Sequence, residues 1–147
     1  MYKRILVPLD NSPADGPIVA HVQDLARHCG ASLLLIHVAD GFAARNLQEL
    51  ELRESEEIKK DRDYLDEIAA RISATGLQVD AILASGDPTD EIIAAAVREK
   101  CDLIAMGTHG HRFLKDVFFG SVANEVRHKS LVPVLLVRGN PHDRPAR

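Results

Sequence analysis

Short apolar runs alternating with stretches of helical periodicity restrict this chain more than any other feature. Lys3 to Leu9, Ser32 to Val38, Leu77 to Ala84, Asp102 to Met106 and Val132 to Val137 have centres rich in Val, Ile and Leu. Runs of that length and composition read as strands, mostly buried on both faces. Between them lie helical patterns. Pro13 to Cys29 carries Ile18, Val19, Val22, Leu25, Ala26 and Cys29 on one stripe and stops at Gly30. Pro88 opens another helix, capped by Asp87, with Asp90 and Glu91 in its first turn and Ile92, Ile93, Ala96 and Val97 towards a core. Ser121 to Ser130 reads as the last. Strand and helix in alternation predict an α/β fold, a doubly wound five-stranded parallel sheet with right-handed crossovers. At 147 residues the chain fits one domain that needs no covalent staple.

Ligands of such sheets bind outside the carboxyl ends of the strands, so the residues there come next. The first strand ends in Val7-Pro8-Leu9-Asp10, followed by Asn11-Ser12-Pro13-Ala14-Asp15. Ser12 suits an N-cap, Pro13 the first helical position and Asp15 the third, where a carboxylate favours the dipole. Asp10 lies outside that cap, as a turn-forming residue or a ligand contact. The fourth strand runs into Met106-Gly107-Thr108-His109-Gly110, then nine residues, then Gly120-Ser121-Val122. Glycines in a strand-to-helix loop let a ligand approach the main chain, and a helix start presents unpaired N–H groups to an anion, most simply phosphate. Arg112, Lys115, Arg127, Lys129 and Arg138 stand near it against Asp116 and Glu125.

The spacing Gly107-x-x-Gly110-x9-Gly120-Ser121, with Val7-Pro8-Leu9-Asp10 before it and Val132-Pro133-Val134-Leu135-Leu136-Val137-Arg138 after it, resembles the ATP-binding branch of the universal stress protein family. The likeness runs over residues 2 to 138 and implies a nucleotide-binding domain of 1–138 with a flexible tail, 139–147. It implies the strand order 3-2-1-4-5, which sets Asp10 and Gly107 face to face at the switch point. It implies an adenosine pocket lined by the Pro8 backbone, Leu9 and Asp10, with Val38 against the base. It places Met106, Gly107, His109, Gly110 and His111 along ribose and phosphates through their main chain, and Gly120, Ser121 and Val122 at the terminal phosphates. The ligand implied is ATP, ADP or AMP, with Mg2+ held mainly by phosphate oxygens. Phe118-Phe119 stand where aliphatics are more usual in the family.

Other classes are disfavoured. The formal charge is −4, and residues 46 to 75 hold all of it, with nine acids against five bases. An acidic balance without tryptophan argues against a nucleic-acid surface. His109-x-His111 lacks a third metal ligand at fitting spacing. His37, inside a strand, reads as a hydrogen-bonded core or edge histidine. Cys29 and Cys101 share no ligand spacing and suit a reduced protein, and no apolar run reaches membrane length, so a cytoplasmic location is expected. No activated nucleophile is visible, which favours a regulatory nucleotide-binding module. The alternative is a slow ATPase or self-phosphorylating enzyme with Ser121 or Thr108 near the γ-phosphate. A receiver-type phosphoacceptor would need an acidic pair after the first strand, where only Asp10 stands. Residues 46 to 63 read as a solvated helix or arm, or more sharply as a lid or partner contact. Val132 to Val137 is an apolar edge strand, expected to pair with its own copy in a homodimer.

Overall fold

The computed structural model describes residues 1–40, 51–108 and 117–139. Residues 46–50 of the acidic segment, the loop 109–116 with His109, Gly110, His111, Arg112 and Lys115, and the tail 140–147 lie outside them. In chain order the elements are β1 (Arg4–Pro8), α1 (Asp15–Cys29), β2 (Ser32–Asp40), α2 (Glu51–Ser73), β3 (Val79–Gly86), α3 (Pro88–Arg98), β4 (Leu103–Thr108), α4 (Val117–Lys129) and β5 (Val134–Arg138). The strands form one parallel sheet in the order β3-β2-β1-β4-β5, as expected.

The alternation of side chains along the strands divides the core into two layers. Ile5, Val7, Leu33, Leu35, Leu103 and Ala105 pack with Ile18, Val22 and Ala26 of α1 and Leu65, Ile68 and Ile72 of α2. Leu6, Leu34, Ile36, Ile104 and Met106 pack with Ile92, Ala95 and Ala96 of α3 and Val122, Ala123 and Val126 of α4. Both faces are thus covered, which is why the central strands read as continuous apolar runs. Among the described residues, no helix is long and apolar enough to cross a membrane.

Several boundaries differ from the sequence expectation. Helix α1 begins at Asp15 with Ala14 as its N-cap, rather than at Pro13 after Ser12. Ser12 instead closes the preceding turn, its hydroxyl accepting from the Ala14 amide and its carbonyl from that of Asp15. Strand β4 continues through Gly107 and Thr108, because these residues stay in register with Val137 and Arg138 of β5. Helix α4 starts at Val117, one turn before Ser121. Helix α3 has the expected start: the Asp87 side chain accepts from the Asp90 amide at 3.0 Å, and Pro88 follows.

Candidate functional site

The sheet comes apart at its switch point. Strand β1 is paired with β2 up to Pro8↔Ile36, and β4 with β5 up to Thr108↔Arg138. Between β1 and β4 the paired residues are Ile5↔Leu103 and Leu6↔Ile104. Beyond Leu6 and Ile104 the two strands run on without pairing to one another. At roughly 3.3 Å per residue, the three or four positions beyond that point make a split about 10–13 Å long, open at the carboxyl edge. One wall is Val7 to Asp10; the other is Ala105 to Thr108.

The turn that continues the first wall is organised by Asp15. Its carboxylate, 3% exposed, accepts from the Asp10 amide at 3.2 Å and from the Asn11 amide at 2.8 Å. Asn11 takes the left-handed conformation with φ 59°, which asparagine tolerates better than most side chains. Tyr64 of α2 donates its hydroxyl to the same carboxylate. Burial pushes the Asp15 carboxyl up to about 6, with the Tyr64 hydrogen bond opposing and the Asp10 charge adding to the rise. Burial and the Asp15 carboxylate push the Tyr64 hydroxyl well above its ordinary range, so it remains a donor. The amides of Ala14 and Asp15 go to Ser12, and those of Asp10 and Asn11 to Asp15. The start of α1 therefore carries a carboxylate of its own, a charge that disfavours an anion there. Asp15 stands in the first turn of α1 as expected, though as its first residue rather than its third, and its carboxylate also holds the turn before the helix.

His37 makes a second bridge. Its Nδ1 lies 2.8 Å from the Leu9 carbonyl oxygen and its Nε2 lies 3.2 Å from an Asp61 carboxylate oxygen. This is the hydrogen-bonded strand histidine the sequence suggested, with a partner the sequence did not indicate.

The expected ligand residues are distributed as follows. Met106 and Leu9 are 0% and 2% exposed, so only their main chain can meet a ligand. Val38 is partly buried on the α3–α4 face. Pro8 is buried, and Asp10 sits at the mouth of the split, half-buried. Gly107 is glycine for a reason other than turn geometry: a Cβ there would lie 3.1 Å from the Ala14 carbonyl oxygen and 3.5 Å from Ile18 Cγ2. It lies in a strand against the first turn of α1, not in the loop. Gly120 falls in the first turn of α4, and Ser121 and Val122 follow one turn in. Helical N–H groups at those two positions point to carbonyls four residues back, so the free amides belong to the turn from Val117 onward. The exposed Ser121 offers a hydroxyl, whereas Val122, 5% exposed, packs the helix on the sheet. His109, Gly110 and His111 lie outside the described residues.

Asp61 and Tyr64 went unrecognised in the sequence because they sit among charged residues of the acidic segment. A signal existed: Asp61, Tyr64, Leu65, Ile68 and Ile72 share one face at helical spacing. Residues 56 to 60 are solvated as expected, but the docked face begins at Asp61 rather than after Asp63.

A parallel sheet of this order that splits at its switch point defines a doubly wound α/β protein, a class whose ligands bind at such a point. Within that class the chain belongs to the universal stress protein family, whose model matches residues 1–138. It is 30% identical to universal stress protein MJ0577 of Methanocaldococcus jannaschii, over 94% of this chain and 96% of that protein. The solved structure of MJ0577 aligns with a TM-score of 0.80 and 31% identity, covering 95% of this chain and 98% of that one. Two more distant structures share the fold at 22% identity. One is a universal stress protein in complex with cAMP, with a TM-score of 0.69 and coverage of 93% and 97%. The other is the Archaeoglobus fulgidus universal stress protein in complex with dAMP, with a TM-score of 0.70 and coverage of 92% and 98%.

Proposed function

We propose that this chain binds an adenine nucleotide, ATP in the first instance, in the split between β1 and β4, and that occupancy serves as a conformational or partner-binding signal. The observation that carries the reading is that split: the β1–β4 pairing stops at Leu6↔Ile104 while the flanking ladders run on. Its length suits a nucleoside, and distant relatives of the same fold are complexed with cAMP and dAMP.

In this reading Pro8, Leu9 and Asp10 form one wall, with Val38 towards the base, and the main chain of Met106 and Gly107 forms the other. Because Asp15 fills the α1 end, an anionic group is directed to the α4 end. There Gly120 leaves room beside the helix and Ser121 contributes its hydroxyl, with His109, Gly110 and His111 completing the loop through their main chain. Mg2+ would arrive on the phosphate oxygens, and we assign it no ligand from the chain.

Titration of nucleotide-stripped protein with Mg-ATP, adenosine and Mg-GTP tests this. The expected result is binding of ATP over GTP, with ATP weakened far more than adenosine in Gly120→Val and Ser121→Ala. A folded, stripped wild type that binds none of ATP, ADP and AMP would refute it.

A homodimer through β5 belongs to the same reading. The strand is an edge of the sheet, and Leu136 on it is 37% exposed. Pairing with its copy would cover that edge, and a monomer at micromolar concentration in light scattering would overturn the idea. The free Cys29 and Cys101 support a reducing, cytoplasmic setting.

A further inference from the structure

Helix α2 packs mainly on β3 and β2, on the far side of β1 from the split. Yet two of its side chains reach the end of β1 by polar links that converge on consecutive residues. Tyr64 donates to Asp15, whose carboxylate holds the amides of Asp10 and Asn11. Asp61 faces His37 Nε2, and the other ring nitrogen of His37 meets the carbonyl of Leu9. Asp61 and Tyr64 are three apart, hence on one face of the helix. Residues 9, 10 and 11 are thereby gripped through one carbonyl and two amides, from a single turn of α2.

The grip has features that core packing does not require. The groups are largely withdrawn from water: Asp15 is 3% exposed, and the His37 and Asp61 side chains are 12% and 20% exposed. A buried carboxylate that must be satisfied by two amides and a phenol is an expensive way to close a turn, and such arrangements concentrate where geometry serves a ligand. Below this turn the same helix docks by Leu65, Ile68 and Ile72, while above it residues 56 to 60 are all exposed. The polar links therefore stand at the boundary between the docked and the solvated parts of α2.

We propose that Asp61 and Tyr64 are positioning residues for Asp10, acting through His37 and Asp15, so that docking of the 61–64 turn of α2 and occupancy of the split are two sides of one equilibrium. This rests on the nucleotide reading above and adds to it the element that senses the ligand. Nucleotide held by Asp10 fixes the 9–11 backbone, which favours both links and hence the docked turn. By linkage, an α2 held in place raises nucleotide affinity by the same factor. The stretch of α2 from Asp61 to Ile72, which carries both links and the apolar contacts, is then the part whose protection reports the bound state.

The test compares wild type with Tyr64→Phe, Asp61→Ala and the double variant, each shown to be folded. Three quantities are read: the Kd for Mg-ATP, the backbone amide shifts of Asp10 and Asn11 without ligand, and hydrogen exchange over residues 56–72 with and without Mg-ATP. Tyr64→Phe is expected to displace both amide signals in the ligand-free protein, which shows that the link reaches the 9–11 backbone, while the nucleotide dependence of Kd and exchange separates positioning from a structural role. It should weaken Mg-ATP by roughly five- to thirtyfold, in the usual range of coupling between sites. In wild type the nucleotide should slow exchange over 61–72, and in the double variant that protection should be lost. Folded variants with wild-type Kd, or exchange in α2 indifferent to nucleotide in a wild type that binds it, would overturn the coupling alone. A wild type that binds no nucleotide would overturn the site reading, and the coupling with it.

Discussion

Replacing Gly107 by alanine tests whether this glycine is present for packing rather than for loop geometry. The residue lies in β4 with strand backbone, so alanine meets no conformational objection there. The objection is a neighbour. An added Cβ would stand 3.1 Å from the Ala14 carbonyl oxygen, with Ile18 Cγ2 and Cβ at 3.5 and 3.6 Å. The Ile18 contacts are ordinary, but the oxygen must give by a few tenths of an ångström. Ala14 is the N-cap of α1, and an N-cap carbonyl accepts the first intrahelical hydrogen bond, so it moves only with the helix start. Overpacking of this kind costs about 1–3 kcal/mol, and removing a glycine from the unfolded chain returns about 0.4–1 kcal/mol. The net expectation is a loss of about 1–2 kcal/mol, or roughly 2–8 °C in Tm for a chain of this size. Gly16→Ala is the control, since nothing lies within 4 Å of its Cβ position and it sits in α1, where alanine favours the helix by up to about 1 kcal/mol. Denaturant unfolding of both variants, with m-values compared, is the assay. Equal stabilities for Gly107→Ala and Gly16→Ala would refute the packing argument.

Two further outcomes follow from the same geometry. Asp15 holds its proton more tightly folded, at about 6, than unfolded, at 3.8, so its contribution to stability is greatest in acid and falls as pH rises through that window. Asp15→Asn should therefore gain on wild type by up to about 3 kcal/mol between pH 4 and pH 7 in unfolding measurements; a difference independent of pH would contradict the assignment. Asp87→Ala removes the side-chain acceptor for the Asp90 amide and should destabilise the protein by about 1 kcal/mol, while leaving the α1–α2 side of the sheet unchanged by NMR shifts.

Much of the architecture could be read locally, because its signals are local. Apolar runs of strand length, the stripe from Ile18 to Cys29 and the Asp87-Pro88 start announce themselves by periodicity and turn chemistry. The strand order came instead from resemblance to a family, since periodicity does not say which strands are neighbours. Boundaries were misplaced for two reasons: long-range pairing with β5 draws Gly107 and Thr108 into the sheet, and a local turn in which Asp15 reaches back to Asp10 and Asn11 delays the helix expected from Pro13.

The sequence by itself determined the alternating α/β class and the carboxyl-edge location of Asp10 and Gly107. It also carried the family to which the chain belongs. Only the tertiary structure decided that β1 and β4 part after Leu6 and Ile104, that Gly107 is small because the Ala14 carbonyl faces it, and that α2 grips the end of β1 through Tyr64 and Asp61. The physical reason is range. Periodicity and capping act over a few residues and leave a mark in the sequence, whereas Tyr64 and Asp15 are 49 residues apart. Single polar contacts between distant segments have no period, and the acidic surroundings of Asp61 and Tyr64 look like solvent-facing helix until the fold brings them to the sheet.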